Sequence, residues 1–167
     1  MALKERKPNR LDYFDYGQPG SYFVTICTHN RISLFEMDPI VGNGHRAVPR
    51  PPQNLVLRKG LRDTQTHFPN ISIDKYVIMP DHLHILITIR ERHEGRSLPD
   101  VIQFFKTTTT NNYIRGVKAG MLAPFDKKLW QKSYYDHVIR NQQDYDETWQ
   151  YIENNPTKWL MYHQKEM

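Results

Sequence analysis

The sequence predicts an α+β fold: a ferredoxin-like split βαβ arrangement, an antiparallel four-stranded sheet with two helices on one face, plus a C-terminal helix. Three observations predict it. β-rich runs and longer amphipathic stretches alternate in the order β-α-β-β-α-β-α. Turn signals, Pro19-Gly20 and Pro80-Asp81, fall where strands begin or reverse. The run His82 to Ile89 is strongly apolar, as a central strand should be.

Ser21 to Thr28 is rich in β-branched and aromatic residues and reads as the first strand. Met37 to Gln53 carries four prolines and two glycines and reads as a loop. Asn54 to Phe68 fits a helix imperfectly, because Gly60 sits inside it. Ile71 to Met79 is the second strand and His82 to Ile89 the third. Ser97 and Asp100 form a capping arrangement for a helix that ends at Gly116. Leu129 to Ile139 reads as a fourth strand. Asn141 caps a last helix from Gln142 to about Asn155, where Pro156 should stop it.

The 167 residues suit one domain, 1–167, with a real core. Cys27 is the only cysteine, so no intramolecular disulfide can form, and a reducing cytoplasm is the expected compartment. No apolar run approaches the ~20 residues that span a bilayer. Met1 to Arg10 is basic but lacks the apolar stretch of a signal peptide. A formal charge of +5 and a pI of about 9.3, with 12% aromatic residues, favour a nucleic-acid partner.

His82 and His84 stand one residue apart on a strand, so both side chains fall on one face with Leu83 on the other. Two neutral imidazoles on a rigid strand make half a metal site; a pair of exposed histidines at a strand mouth is the plainer reading. On the last helix, Tyr151 and Asn155 are one turn apart and share a face. Tyr145, Trp149 and Ile152 form the apolar stripe, and Tyr151 borders it. Tyr151 either packs there or reaches a bound substrate. Asn155 either ends the helix or completes the metal site. A phenol is a weak nucleophile at its ordinary pKa of about 10. A divalent metal that polarises a phosphate oxygen would make a phosphodiester open to it.

Five passages then carry a resemblance: Arg10-Leu11-Asp12-Tyr13 before Gly20-Ser21-Tyr22-Phe23-Val24-Thr25; Tyr76-Val77-Ile78-Met79-Pro80-Asp81-His82-Leu83-His84; Phe104-Phe105-Lys106; Leu129-Trp130-Gln131; and Asp136-His137-Val138-Ile139-Arg140-Asn141 leading to Tyr151-Ile152-Glu153-Asn154-Asn155-Pro156. The chain resembles the HUH single-tyrosine transposases, and more closely the REP-associated tyrosine transposases, relatives of the IS200/IS605 transposases. The resemblance implies a ferredoxin-like fold, a divalent ion (Mg²⁺ or Mn²⁺), and single-stranded DNA cut near palindromic hairpins to a 5′-phosphotyrosine and a free 3′-hydroxyl. By position, His82 and His84 match the metal-binding histidines and Tyr151 the nucleophile. Asn155 takes the place of the polar helix ligand, which is glutamine in some relatives and one methylene longer.

DNA contacts are expected from Lys106, Arg115 and Lys118 on and after the second long helix, with the hydroxyls of Thr107 to Thr110. Lys127, Lys128 and Lys132 surround Trp130, a mixture of cation and aromatic suited to single strands, although Trp130 suits a core equally well. His137 is either a phosphate contact or a satisfied structural histidine. Arg46, Arg50 and Arg58 flank the proline-rich loop. Asp81 can orient an imidazole or simply serve the turn. Of the adjacent Tyr134 and Tyr135, one must face the core. A non-catalytic hairpin-binding module and a metal-dependent hydrolase using water are the rival functions, and a covalent protein–DNA adduct separates them.

Overall fold

The structure, a computed structural model, describes residues 10–37, 51–94 and 96–163. The expected contacts Arg46 and Arg50, and the basic stretch before Arg10, lie outside the described residues. The elements are β1 (Gly20–Cys27), α1 (Pro52–His67), β2 (Ile71–Met79), β3 (His82–Ile89), α2 (Leu98–Lys118), β4 (Tyr135–Val138) and α3 (Gln142–His163). The strands form one sheet in the order β2-β3-β1-β4, and every neighbouring pair is antiparallel. This is the expected fold, with β3 in the interior of the sheet. Among the described residues no helix is long and apolar enough to cross a membrane.

The two-residue period of the strands divides the interior into two cores. Tyr22, Val24 and Ile26 of β1 join Leu83, Ile85, Ile87 and Ile89 of β3 in the larger one, with Leu57 and Leu61 of α1 and Val101, Ile102 and Phe105 of α2. Val77, Met79 and Leu86 form the smaller one with Ile152 of α3, flanked by Phe23, Tyr145, Trp149 and Trp159. The sheet is therefore covered on one face by α1 and α2 and on the other by α3.

Gly60 is explained by the crossing of α1 and α2. A Cβ built there would collide with Thr109 Cγ2 and lie 3.3 Å from Phe105 Cε2, so only glycine admits this approach. The caps are as expected: the Asp100 carboxylate accepts from the Ser97 backbone N–H at 2.8 Å, and Asn141 Oδ1 accepts from the Asp144 N–H at 2.9 Å.

Two boundaries differ from expectation by more than a pair of residues. The fourth strand begins at Tyr135, not Leu129. Only an isolated bridge, Thr28 to Trp130, precedes it. The carbonyls of Gln131, Lys132 and Ser133, which a continuing strand would point to a neighbour, turn instead to the Lys106 amine. The last helix does not stop at Pro156 but runs to His163. An interior proline removes an N–H and costs about 3 kcal/mol. Packing beyond it offsets that cost: Pro156 is itself buried, Trp159 joins the smaller core, and its indole stacks on His163 at 3.9 Å. α3 is pinned to β2 by Tyr145, whose hydroxyl donates to Asp74 at 2.9 Å. Lys75 adds an ion pair with Glu153 at 3.3 Å and lies over the Trp149 ring at 4.2 Å.

Candidate active site

His82 and His84 occupy the α3 face of β3. In the register, His82 stands between Cys27 and Met79, and His84 between Thr25 and Val77. Their rings are 4.6 Å apart, centroid to centroid. Each Nδ1 has a partner. Asp81 Oδ1 lies 2.6 Å from His82 Nδ1, so the carboxylate accepts and the neutral ring carries its proton there. Thr25 Oγ1 lies 2.8 Å from His84 Nδ1; in the tautomer that suits a ligand, Nδ1 donates to it. Both Nε2 lone pairs are then available to a metal, the arrangement in which outer hydrogen bonds fix ligating imidazoles. Arg31 Nε holds the other Asp81 oxygen at 2.9 Å.

Both rings are kept neutral. Burial pulls His84 down to about 3, assisted by the neighbouring His82 and by Arg31. Burial also lowers His82, with Asp81 opposing. Neutral imidazole is the form that binds metal.

The Tyr151 ring stands edge-on to His84 at 5.5 Å and to Phe23 at 5.7 Å. It is 42% exposed, so its phenol is open to a substrate while its ring is held. Asn155 follows one turn later on the same helix face. It is 9% exposed, and its carboxamide makes no hydrogen bond among the described residues. A buried carboxamide with no hydrogen bond among the described residues is a donor type that suits a divalent ion. Among the described residues no three His, Cys, Asp or Glu side chains are grouped to hold a metal ion.

The fold thus brings together His82, His84 and Tyr151. The competing tyrosines are placed elsewhere. Tyr134 is buried with Arg10 over its ring at 4.6 Å, Tyr135 is exposed, and Tyr145 is bonded to Asp74. Sequence reasoning missed Thr25, Phe23 and Arg31, whose roles depend on cross-strand register and on a 3₁₀ turn at His29–Arg31. It also missed Lys158, because the helix was expected to end before it.

The expected DNA contacts divide. Lys127, Lys128, Lys132, Thr107 and Thr110 line a groove of about 400 Å³ between α2 and the 125–132 segment, together with Gln103 and Asn111. Its lining contains no acidic residue. Trp130 and Lys106 also line this groove, but each is engaged within the fold. Trp130 is 5% exposed and donates its indole N–H to Thr109 Oγ1 at 2.9 Å; it is a core residue, not a stacking platform. The Lys106 amine is spent on the carbonyls of Gln131, Lys132 and Ser133 at 2.8, 3.3 and 3.1 Å, and burial lowers it to about 8. It orders the segment before β4 instead of offering a free cation. Arg115 lies away from this groove, beside Leu55 and Met121, with Lys118 ending α2. His137 bonds both Asp144 oxygens at 2.9 Å. Arg58 bonds the Tyr76 hydroxyl at 2.6 Å.

Fold and site define a class: a ferredoxin-like sheet that presents paired strand imidazoles beside the phenol of a packed helix. The chain belongs to the IS200-like transposase family, whose model matches residues 22–155. It is 31% identical to an uncharacterised protein of Haemophilus influenzae, over 95% of this chain and 92% of that one. A second Haemophilus influenzae protein, provisionally named a REP-associated tyrosine transposase, is 24% identical over 86% of this chain and 74% of its own. Among solved structures, a REP-associated tyrosine transposase bound to a REP hairpin superposes with a TM-score of 0.59 at 23% identity, covering 95% of this chain and 74% of that one. A transposase candidate of Deinococcus radiodurans gives 0.50 at 18% identity, covering 91% and 97%. These two likenesses establish the shared fold.

Proposed function

We propose that the chain is a metal-dependent single-stranded DNA endonuclease and strand transferase that cuts and rejoins DNA beside palindromic hairpins through a 5′-phosphotyrosine. The observation that carries this reading is the Tyr151 ring, held 5.5 Å from His84 in the pair with His82. Family membership supports a DNA-processing transposase, and the hairpin carried by a protein of the same fold supports the partner.

His82, His84 and Asn155 would hold Mg²⁺ or Mn²⁺, which when bound would polarise a non-bridging phosphate oxygen and orient the scissile bond. Asp81 and Thr25 keep the two imidazoles aimed. The Tyr151 oxygen attacks phosphorus in line with the 3′ oxygen. The O–P bond to tyrosine forms, the P–O3′ bond breaks, the phenolic proton passes to water, and the 3′ oxygen takes up a proton. The phosphotyrosine retains the bond energy, so attack by a 3′-hydroxyl reverses the step and joins strands. Lys127, Lys128 and Lys132 supply phosphate contacts in their groove, with Thr107 and Thr110 as neutral donors. The groove lies on the α2 side of the sheet and Tyr151 on the α3 side, so binding and cutting use opposite faces.

The test is incubation with a single-stranded hairpin oligonucleotide and Mn²⁺, followed by denaturing electrophoresis and peptide mass spectrometry. An adduct on the Tyr151 peptide, absent in Tyr151→Phe and in chelator, is expected. Binding without an adduct would favour the non-catalytic module, and cleavage without one would favour a water-using nuclease.

A further inference from the structure

α3 continues past Pro156 and carries Lys158 two turns beyond Tyr151, on the same side of the helix. The Lys158 ammonium lies 5.7 Å from the centre of the Tyr151 ring. Its helical neighbours are the buried Asn155 and Pro156 before it and the partly buried Trp159 after it. Lys158 has no carboxylate partner among the described residues. The nearby charges are otherwise engaged: Glu153 with Lys75, and Arg31 with Asp81. A cation without a carboxylate partner among the described residues, on an ordered helix and beside an exposed phenol, is placed to meet a phosphodiester.

We propose that Lys158 is a further catalytic residue, whose ammonium binds a non-bridging oxygen of the phosphate that Tyr151 attacks. This rests on the reading of Tyr151 as nucleophile. In-line attack places extra negative charge on the phosphoryl oxygens as the O–P bond to tyrosine forms and the P–O3′ bond breaks. A cation close to the phosphate favours that charge distribution more than the ground state. The histidine-bound metal cannot serve every oxygen of the phosphate, and Lys158 approaches from the tyrosine helix instead of from β3. Lysine acts here as a point charge, gives and takes no proton, and stays on the phosphotyrosine through the rejoining step. An exposed lysine kept merely for solubility would have none of these effects.

The experiment compares wild type, Lys158→Met and Lys158→Arg in single-turnover cleavage of a hairpin oligonucleotide with Mn²⁺, using the full chain. Each is also tested on a substrate whose scissile phosphate is a neutral methylphosphonate. Lys158→Met should slow cleavage of the normal substrate by about 10²–10³-fold, with hairpin affinity within about twofold and an unchanged melting temperature. Lys158→Arg should recover most of the rate. On the methylphosphonate, wild type and Lys158→Met should differ far less, because the charge that lysine reads has been removed. Equal slowing on both substrates would make Lys158 a structural residue and overturn the proposal, as would unslowed cleavage by Lys158→Met. If wild type itself forms no adduct, the nucleophile assignment fails first and the lysine role falls with it.

Discussion

Thr25 and His84 face one another across β1 and β3, and the threonine oxygen sits 2.8 Å from the imidazole Nδ1. With Nδ1 donating to the threonine oxygen, Nε2 is the nitrogen left for the proposed metal. Thr25→Val keeps the shape and removes the oxygen. Mn²⁺ affinity, measured by electron paramagnetic resonance, should fall about 10–100-fold, with little change in stability.

His84 gives the metal-free protein a pH dependence of defined sign. Burial holds its folded pKa near about 3, against ~6.5 when unfolded. Below the unfolded value the unfolded chain binds the proton and the folded one does not, so stability present above ~6.5 is lost progressively as pH falls toward about 3. Urea melts in chelator should show this slope. His84→Gln should make it shallower by about one proton. An unchanged slope would mean that the ring titrates as if exposed.

Lys127 and Lys128 are the natural test of the groove on α2. Replacing both by glutamine should make hairpin affinity less sensitive to salt, lowering the log–log slope by about 0.7–0.9 for each phosphate no longer neutralised. The rate of cleavage at saturating DNA should hold. A salt slope equal to wild type would place the DNA elsewhere.

Trp130 should behave oppositely. Trp130→Ala should cost about 3–5 kcal/mol of stability, read by denaturant melts, because it empties a buried site and strips Thr109 of its indole donor. A stable variant with selective loss of single-strand binding would restore the stacking role.

Gly60→Ala should destabilise by about 1–3 kcal/mol despite alanine's better helix propensity. The new methyl would collide with Thr109 Cγ2. A gain in stability would show that α1 and α2 can move apart freely.

The central strand and its two histidines were legible because a two-residue period in an apolar run has a single structural meaning. The placement of Tyr151 at the border of the Ile152 stripe was legible from helical spacing, and its role as nucleophile is a proposal that came from the resemblance. Thr25 was not, since nothing local to Val24-Thr25-Ile26 reveals which β3 residue it will oppose. Lys158 was hidden by Pro156, whose local cost is real and is offset only by tertiary contacts of Trp159. Trp130 and Lys106 were misassigned to DNA because flanking lysines look alike whether they meet phosphates or backbone carbonyls. Asp81 was legible in kind, and the structure selects its orienting role through the 2.6 Å contact with His82.

The separation of the interior into two cores gives the protein two strengths of attachment. α3 rests on the smaller apolar cluster, Val77, Met79, Leu86 and Ile152 flanked by Phe23, Trp149 and Trp159, walled off from the larger core by the sheet. Regions with little buried apolar contact open as units of their own, at less than the cost of global unfolding. If α3 is such a unit, its amide protons exchange ahead of those in β3, which hydrogen exchange would read. When it lifts, the phenol leaves the imidazoles while the sheet stays intact. On the function proposed above, cutting follows the docking equilibrium of one helix and changes with it without melting the fold.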